Sequence, residues 1–103
     1  MEPLLSNLVR ENFRNGLSAR DAEQLAFLIF CILDHLPPEL RKHQWDRDKI
    51  ASEFVALKTV GLIRDANPAH GESNYWNAVI DRFLLNPKEV DRNFGSRLPT
   101  YPR

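Results

Sequence analysis

The chain has 103 residues, 43% of them hydrophobic and 27% charged, which is the composition of one ordinary globular domain rather than of a disordered segment. Its 14 basic and 14 acidic residues balance to a net charge of zero. A dedicated nucleic-acid-binding protein usually carries a cationic excess, so the balance argues against a protein that binds nucleic acid by charge alone.

The N-terminal segment has the spacing of an amphipathic helix. Pro3 suits a first helical turn, and apolar residues recur at intervals of three and four over residues 4–13. Asn15 and Gly16 readily take the left-handed conformation that ends a helix. The pattern predicts a first helix at about residues 3–15.

A second helix, predicted over residues 18–36, is unusually apolar. Ser18 can cap its start, and the pair of prolines that begins at Pro37 forbids its continuation. Between them, Leu25–Leu33 is a run of nine apolar residues, which leaves no polar side on that part of the helix. We therefore expect this helix at the centre of a bundle, with one side close to the surface and in contact with a second chain. The residues expected at that side are Phe27, Phe30 or Asp34.

The single cysteine, Cys31, lies inside the apolar run. It cannot form an internal disulfide, and the N-terminus lacks the basic start and cleavage site of a signal peptide, so we expect a cytoplasmic protein. The run is about half as long as a membrane-spanning helix, and no membrane is expected as a partner. A thiol close to His35 is in principle an activated nucleophile, but the apolar neighbours of Cys31 predict a buried core thiol instead.

Two more helices are predicted beyond the prolines. Asp46 can cap a third helix that ends at Gly61, and Ser73 can cap a fourth that ends before Pro87. Residues 64–72, between these two helices, are mostly turn formers and predict a loop.

These elements predict an all-α fold, a small bundle of four main helices with an extended C-terminal tail. We expect a single helical domain over residues 1–90 and a tail over residues 91–103, where prolines and a glycine separate the apolar residues. The tail should be ordered only where Phe94, Leu98 or Tyr101 docks on the bundle.

Residues 48–65 suggest an alternative. They form a helical pattern closed by Leu57, Gly61 and Leu62, and this pattern resembles the recognition helix of winged-helix proteins leading into the first wing strand. The resemblance covers about a third of the chain and implies a winged-helix-like α+β fold, with strands at residues 62–66 and 74–80. It also implies a DNA-binding transcriptional regulator, whose nucleic-acid contacts would come from Lys49, Ser52, Lys58 and Arg64.

Two observations oppose DNA binding. The acidic side chains of Asp48 and Glu53, expected on the solvent side of the same helix, would repel phosphate. The apolar residues from Trp76 to Leu84 fit the helical period, whereas a strand would bury polar residues among them.

No pattern for catalysis or cofactor binding is present. His35, His43 and His70 are far apart and belong to no zinc-ligand motif, and the four glycines are too scattered to form a phosphate-binding loop. We expect no enzyme activity, no metal and no cofactor.

Protein binding is then the leading expectation, because large aromatic residues beside loops often anchor interfaces and charged residues orient a partner. We expect a small non-enzymatic regulator, adaptor or inhibitor that occupies the surface of another protein or of a second copy of itself. The predicted contact residues are the aromatic Trp45, Tyr75, Phe94 and Tyr101 and the basic Arg41, Lys42 and Arg47. The alternatives are that Trp45 closes one end of the bundle and that the basic residues form a solvated surface of salt bridges.

Overall fold

The computed structural model describes residues 2–31 and 36–98. Over these ranges the chain forms a bundle of α-helices without a β-strand, which confirms the predicted small all-α bundle. No helix in the described ranges is long and apolar enough to cross a membrane. The helices are α1 (Ser6–Asn12), α2 (Ala19–Cys31), α3 (Pro38–Arg41), α4 (Arg47–Thr59) and α5 (Ser73–Leu85).

The end of α4 explains the pattern that resembled a recognition helix. Gly61 has φ of +79°, in the left-handed region that favours glycine. Its amide donates to the Lys58 carbonyl at 3.1 Å, and the Leu62 amide donates to the Leu57 carbonyl at 2.9 Å. This pair of bonds is the Schellman motif, so the leucine–glycine–leucine pattern marks a capped helix end.

The winged-helix-like α+β alternative is wrong, because the residues it assigned to strands are loop and helix. Ile63 forms only an isolated bridge to Leu17, and Pro68–Gly71 is a turn of 3-10 helix. The residues assigned to the second strand lie in α5, where Trp76 and Ile80, four residues apart, both point into the core.

Helix α2 packs against α4 and α5, which also pack against each other. Leu25, Ala26 and Ile29 in its apolar run are fully buried. The predicted approach to the surface is confirmed at Phe30, which is half-buried and has the Arg47 guanidinium 5.2 Å from its ring centroid. Asp34 lies outside the described residues, and contact with a second chain stays a prediction.

The prediction that Cys31 is a buried core thiol is wrong. Cys31 is the last described residue of α2 and is exposed. The apolar run therefore reaches the surface before it ends.

Two of the three predicted helix caps are confirmed. The Ser18 hydroxyl accepts from the Asp21 amide at 3.0 Å, and the Asp46 carboxylate accepts from the Lys49 amide at 2.8 Å. The third prediction is wrong, because α5 begins one residue earlier than expected. Its N-cap is Glu72, which makes no side-chain capping bond.

Glu53 differs from its predicted place on the solvent side of α4. It is buried, and its Oε1 accepts a hydrogen bond of 3.1 Å from the Leu5 amide at the start of α1. The carboxylate satisfies an amide that has no partner within its own helix, so it joins α1 to α4.

The segment predicted as a tail meets its docking condition at two residues. Phe94 and Leu98 are buried, and a turn of 3-10 helix over Phe94–Arg97 lies between the bundle and solvent. The Phe94 ring stacks on Phe13 with centroids 5.9 Å apart. Residues 91–98 are therefore part of the bundle, and Tyr101 lies outside the described residues.

Candidate functional site

Two of the aromatic residues predicted to contact a partner lie in the core instead. The Trp45 ring is buried, and its Nε1 donates to the Leu40 carbonyl at 2.8 Å, so it closes the bundle where α3 leads into α4. Phe94 is fully covered by this chain's own side chains. Neither ring is available at the surface, because each is buried in the apolar core.

The predicted basic contact residues differ in their surroundings. Lys42 is exposed, whereas Arg41 is half-buried. Arg47 lies over the Phe30 ring and forms an ion pair of 2.5 Å with Asp81 of α5. Arg47 therefore joins three helices, which limits what it can offer a partner.

The residues predicted to contact nucleic acid also divide into exposed and half-buried ones. Ser52 and Arg64 are exposed. Lys49 lies 3.9 Å from the buried Glu53 carboxylate, and the Lys58 side chain lies along the turn at Gly71. The two lysines are thus half-buried against neighbours within the chain.

Tyr75, the fourth aromatic candidate, bonds to a residue of a charged groove that the sequence did not predict, although it does not line the groove itself. Its hydroxyl donates to the Glu23 carboxylate of α2. The groove lies between α2 and α5, is closed at one end by the turn Pro87–Glu89, and encloses about 510 Å³. Its lining residues are Arg20, Glu23, Gln24, Arg82, Phe83, Lys88 and Glu89.

Arg82 is held in the groove by two carboxylates. Its Nη2 donates to Glu23 Oε1 at 2.7 Å, and its Nε donates to Glu89 Oε2 at 3.2 Å. The hydrogen bond that Arg82 donates to Glu23 is the main cause that raises the Arg82 pKa above its ordinary value. The guanidinium also lies 4.9 Å from the centroid of the Phe83 ring, so its position is fixed before any ligand binds.

The rings of Tyr75 and the buried His70 form a cluster against Glu23. Desolvation, followed by the hydrogen bond to Glu23, raises the pKa of Tyr75 to about 12. His70 packs edge-on to Tyr75 with ring centroids 4.8 Å apart, and its side chain is almost completely buried. The cluster excludes water from one side of the Glu23 carboxylate.

The tautomer of His70 follows from its hydrogen bonds. The Asn67 amide donates to Nδ1 at 2.9 Å, so the ring hydrogen lies on Nε2. Nε2 has no hydrogen-bond acceptor among the described residues, and the Glu23 Oε2 atom is 3.9 Å away. The imidazole thus directs an N–H towards the carboxylate without bonding to it.

Two cations of the groove remain uncompensated. Arg20 and Lys88 have no ion-pair partner within the described ranges, whereas both carboxylates of the groove are engaged by Arg82. Three cations and two carboxylates line the groove, which therefore carries a net charge of +1.

Two exposed leucines follow the groove on α5. Leu84 is 45% exposed and Leu85 is 89% exposed, and the one other large apolar side chain of comparable exposure in the described residues is Val60 at 40%. Leu85 is three residues after Arg82, which places the two residues on the same side of α5, although Leu85 does not line the groove itself. Three apolar residues in a row at a helix end were the available sequence signal, because the helical period lets only Phe83 point into the core.

Desolvation raises the pKa of the exposed Cys31 thiol above its ordinary value, which lowers the fraction of nucleophilic thiolate at neutral pH. His35, its predicted neighbour, lies outside the described residues. Within residues 2–31 and 36–98, no group of three or more histidine, cysteine, aspartate and glutamate side chains is placed to hold a metal ion.

Comparison of the chain with family models, with curated proteins and with solved structures finds no match. The chemistry of the groove and of the leucines beside it is therefore the basis for a functional assignment.

Proposed function

We propose that the protein is a non-enzymatic cytoplasmic regulator, adaptor or inhibitor that acts by binding another protein. Its binding surface is the C-terminal end of α5 together with the charged groove between α2 and α5. It acts by occupying the partner's surface, and a second copy of the chain is one candidate for that partner.

The observation that carries this proposal is the exposure of Leu85 at 89%, next to Leu84 and one helical turn after Arg82, which lines a groove with unpaired cations. A leucine left in water gives up the free energy that its burial would contribute, about 2 kcal/mol. An interface that covers an apolar centre and surrounds it with charged residues recovers that free energy and gains orientation from the charges.

Affinity capture from the native host tests the proposal, with Leu85→Ser as the test variant. Removing the apolar side chain from an interface should weaken binding about tenfold, so the captured partner should decrease accordingly. The matched control is Val60→Ser, which removes another exposed apolar side chain at the end of α4. Equal recovery of the partner by Leu85→Ser and by the unmodified protein would refute the proposal.

Light scattering on a sizing column separates the two kinds of partner. If the partner is a second copy, the unmodified protein should elute as a dimer and the Leu85→Ser variant as a monomer. If the partner is a different protein, both forms should elute as monomers. A salt-dependent shift of duplex DNA that alanine at Lys49 and Lys58 abolishes would instead support the nucleic-acid alternative.

A further inference from the structure

The donors of the groove are arranged for one more anionic group. Arg82 uses Nε and Nη2 to bind Glu89 and Glu23, and its guanidinium also lies near the Tyr75 hydroxyl. Its Nη1 makes no hydrogen bond of ordinary geometry among the described residues. The guanidinium is half exposed, so the N–H groups of Nη1 can meet a ligand. Because two carboxylates already hold the side chain, little conformational entropy is lost when a ligand binds to it.

The charge of the groove limits the ligand to an isolated anion. The net charge of +1, which arises from the unpaired Arg20 and Lys88, is neutralised by one carboxylate. A row of phosphates would instead meet both Glu23 and Glu89 in the groove. Like charges placed opposite one another cost binding free energy, so this arrangement favours an acidic side chain over a nucleic-acid backbone.

The position of Leu85 adds a second requirement. It lies next to Arg82 on the surface of α5, so a chain whose acidic group reaches Arg82 passes over the leucine. An apolar side chain next to the acidic residue would remove the exposed leucine from water.

Resting on the proposed function, we propose that the groove binds an aspartate or glutamate side chain of the partner, which lies in an acidic segment that also carries a large apolar residue. The carboxylate accepts hydrogen bonds from Arg82 Nη1, with Arg20 and Lys88 at its sides. The neighbouring apolar side chain of the segment packs on Leu85.

Fluorescence anisotropy with two synthetic peptides tests this inference. The probe is a short labelled peptide rich in glutamate and leucine, and its control has glutamine in place of each glutamate. The glutamate peptide should bind at least about tenfold more tightly than the glutamine peptide, because charge-assisted hydrogen bonds are stronger than neutral ones. Equal affinity for the two peptides would overturn the inference.

Charge-reversal variants locate the binding. Arg20→Glu with Lys88→Glu should weaken binding of the glutamate peptide at least about tenfold. The control is Arg14→Glu with Lys42→Glu, which changes the net charge equally at exposed residues outside the groove lining. An equal loss in the control would show that net charge, not the groove, binds the peptide. The groove would instead be assigned to nucleic acid if the protein bound no peptide and shifted duplex DNA, and if the groove variant lost this shift while the control variant kept it.

The two proposals fail in different ways. If Leu85→Ser loses the captured partner while Arg20→Glu with Lys88→Glu retains it, the partner-binding surface stands and the carboxylate assignment is refuted. If both variants retain the partner, both proposals are refuted.

Discussion

Glu23 connects the interior of the bundle to the groove. One of its oxygens accepts from Arg82 at the groove, and the other accepts from Tyr75 in front of the buried His70. Hydrogen bonds from donors of two kinds fix the direction of this carboxylate although water reaches little of it. The groove thus has a rigid wall, which lowers the cost of ordering Arg82 when a ligand binds.

Tyr75 should titrate about two pH units above an ordinary tyrosine. Its pKa of about 12 in the folded protein exceeds the ordinary value near 10, mainly because of desolvation and next because of Glu23. In a Tyr101→Phe variant, which leaves Tyr75 as the single tyrosine, tyrosinate absorbance should therefore rise near pH 12. Glu23→Gln should lower this pKa only in part, since desolvation is the larger cause.

The same shift makes stability depend on pH in one direction. The folded state holds the Tyr75 proton more tightly than the unfolded state does, so the stabilisation is complete below about pH 10. It should then be lost as the pH rises towards the folded pKa of about 12. A midpoint near pH 10 in the folded protein, equal to that in urea, would contradict both expectations.

The sequence singled out Tyr75 but not its role. An aromatic residue at a helix start is a local signal, whereas its acceptor Glu23 is 52 residues away. No spacing rule relates two residues that meet only when α2 and α5 pack together. The charged groove could therefore not be predicted from local sequence patterns, because its side chains come from α2, from α5 and from the turn Pro87–Glu89.

At the scale of elements, local signals predicted helix ends well where the bond is made within the same turn. Ser18, Asp46 and Gly61 all do what their positions indicate, since a cap depends on only four or five residues. At Ser73 the helix begins one residue earlier than the capping pattern indicates. The 3-10 turn Pro68–Gly71 ends directly before Glu72, and Glu72 is the N-cap of α5.

Three glycines allow the cost of backbone conformation to be separated from the cost of contact. Gly61→Ala should lower the free energy of unfolding by about 1 kcal/mol, because its φ of +79° is strained for alanine although no atom lies within 4 Å of the new Cβ. Gly16→Ala should cost more, since φ is +81° and the Cβ would lie 2.9 Å from the Leu62 carbonyl oxygen. Urea unfolding measures both variants.

Gly71→Ala is the control of this series. Its φ is not in the left-handed region, and the nearest atom to the new Cβ is the flexible Lys58 Nζ at 3.4 Å. Its effect should lie within about 0.5 kcal/mol of zero. A Gly61→Ala variant as stable as Gly71→Ala would show that the end of α4 does not depend on the left-handed glycine.

At the scale of the molecule, the sequence predicted which helices form but not how completely they cover one another. The burial of the middle of α2 followed from its apolar run, because a helix without a polar side needs neighbours. The burial of Trp45 and Phe94 could not be predicted in the same way, because an aromatic residue beside a loop is compatible with a buried position and with an exposed one. What decides their positions is the room left between α3, α4 and the residues after α5, which only the packed bundle defines.

Phe94 tests whether the segment after α5 belongs to the bundle. Its ring is fully buried against Phe13, and Arg97 lies over both rings while its guanidinium pairs with Asp21 at 3.0 Å. Phe94→Ala should therefore lower the free energy of unfolding by about 3 kcal/mol or more, as the loss of a buried aromatic ring does. Urea unfolding measures the change, with Leu85→Ala as the control, which should cost less than about 0.5 kcal/mol at its exposed position. Equal stability of the two variants would mean that residues 94–98 contribute nothing to the fold, and that the bundle ends with α5.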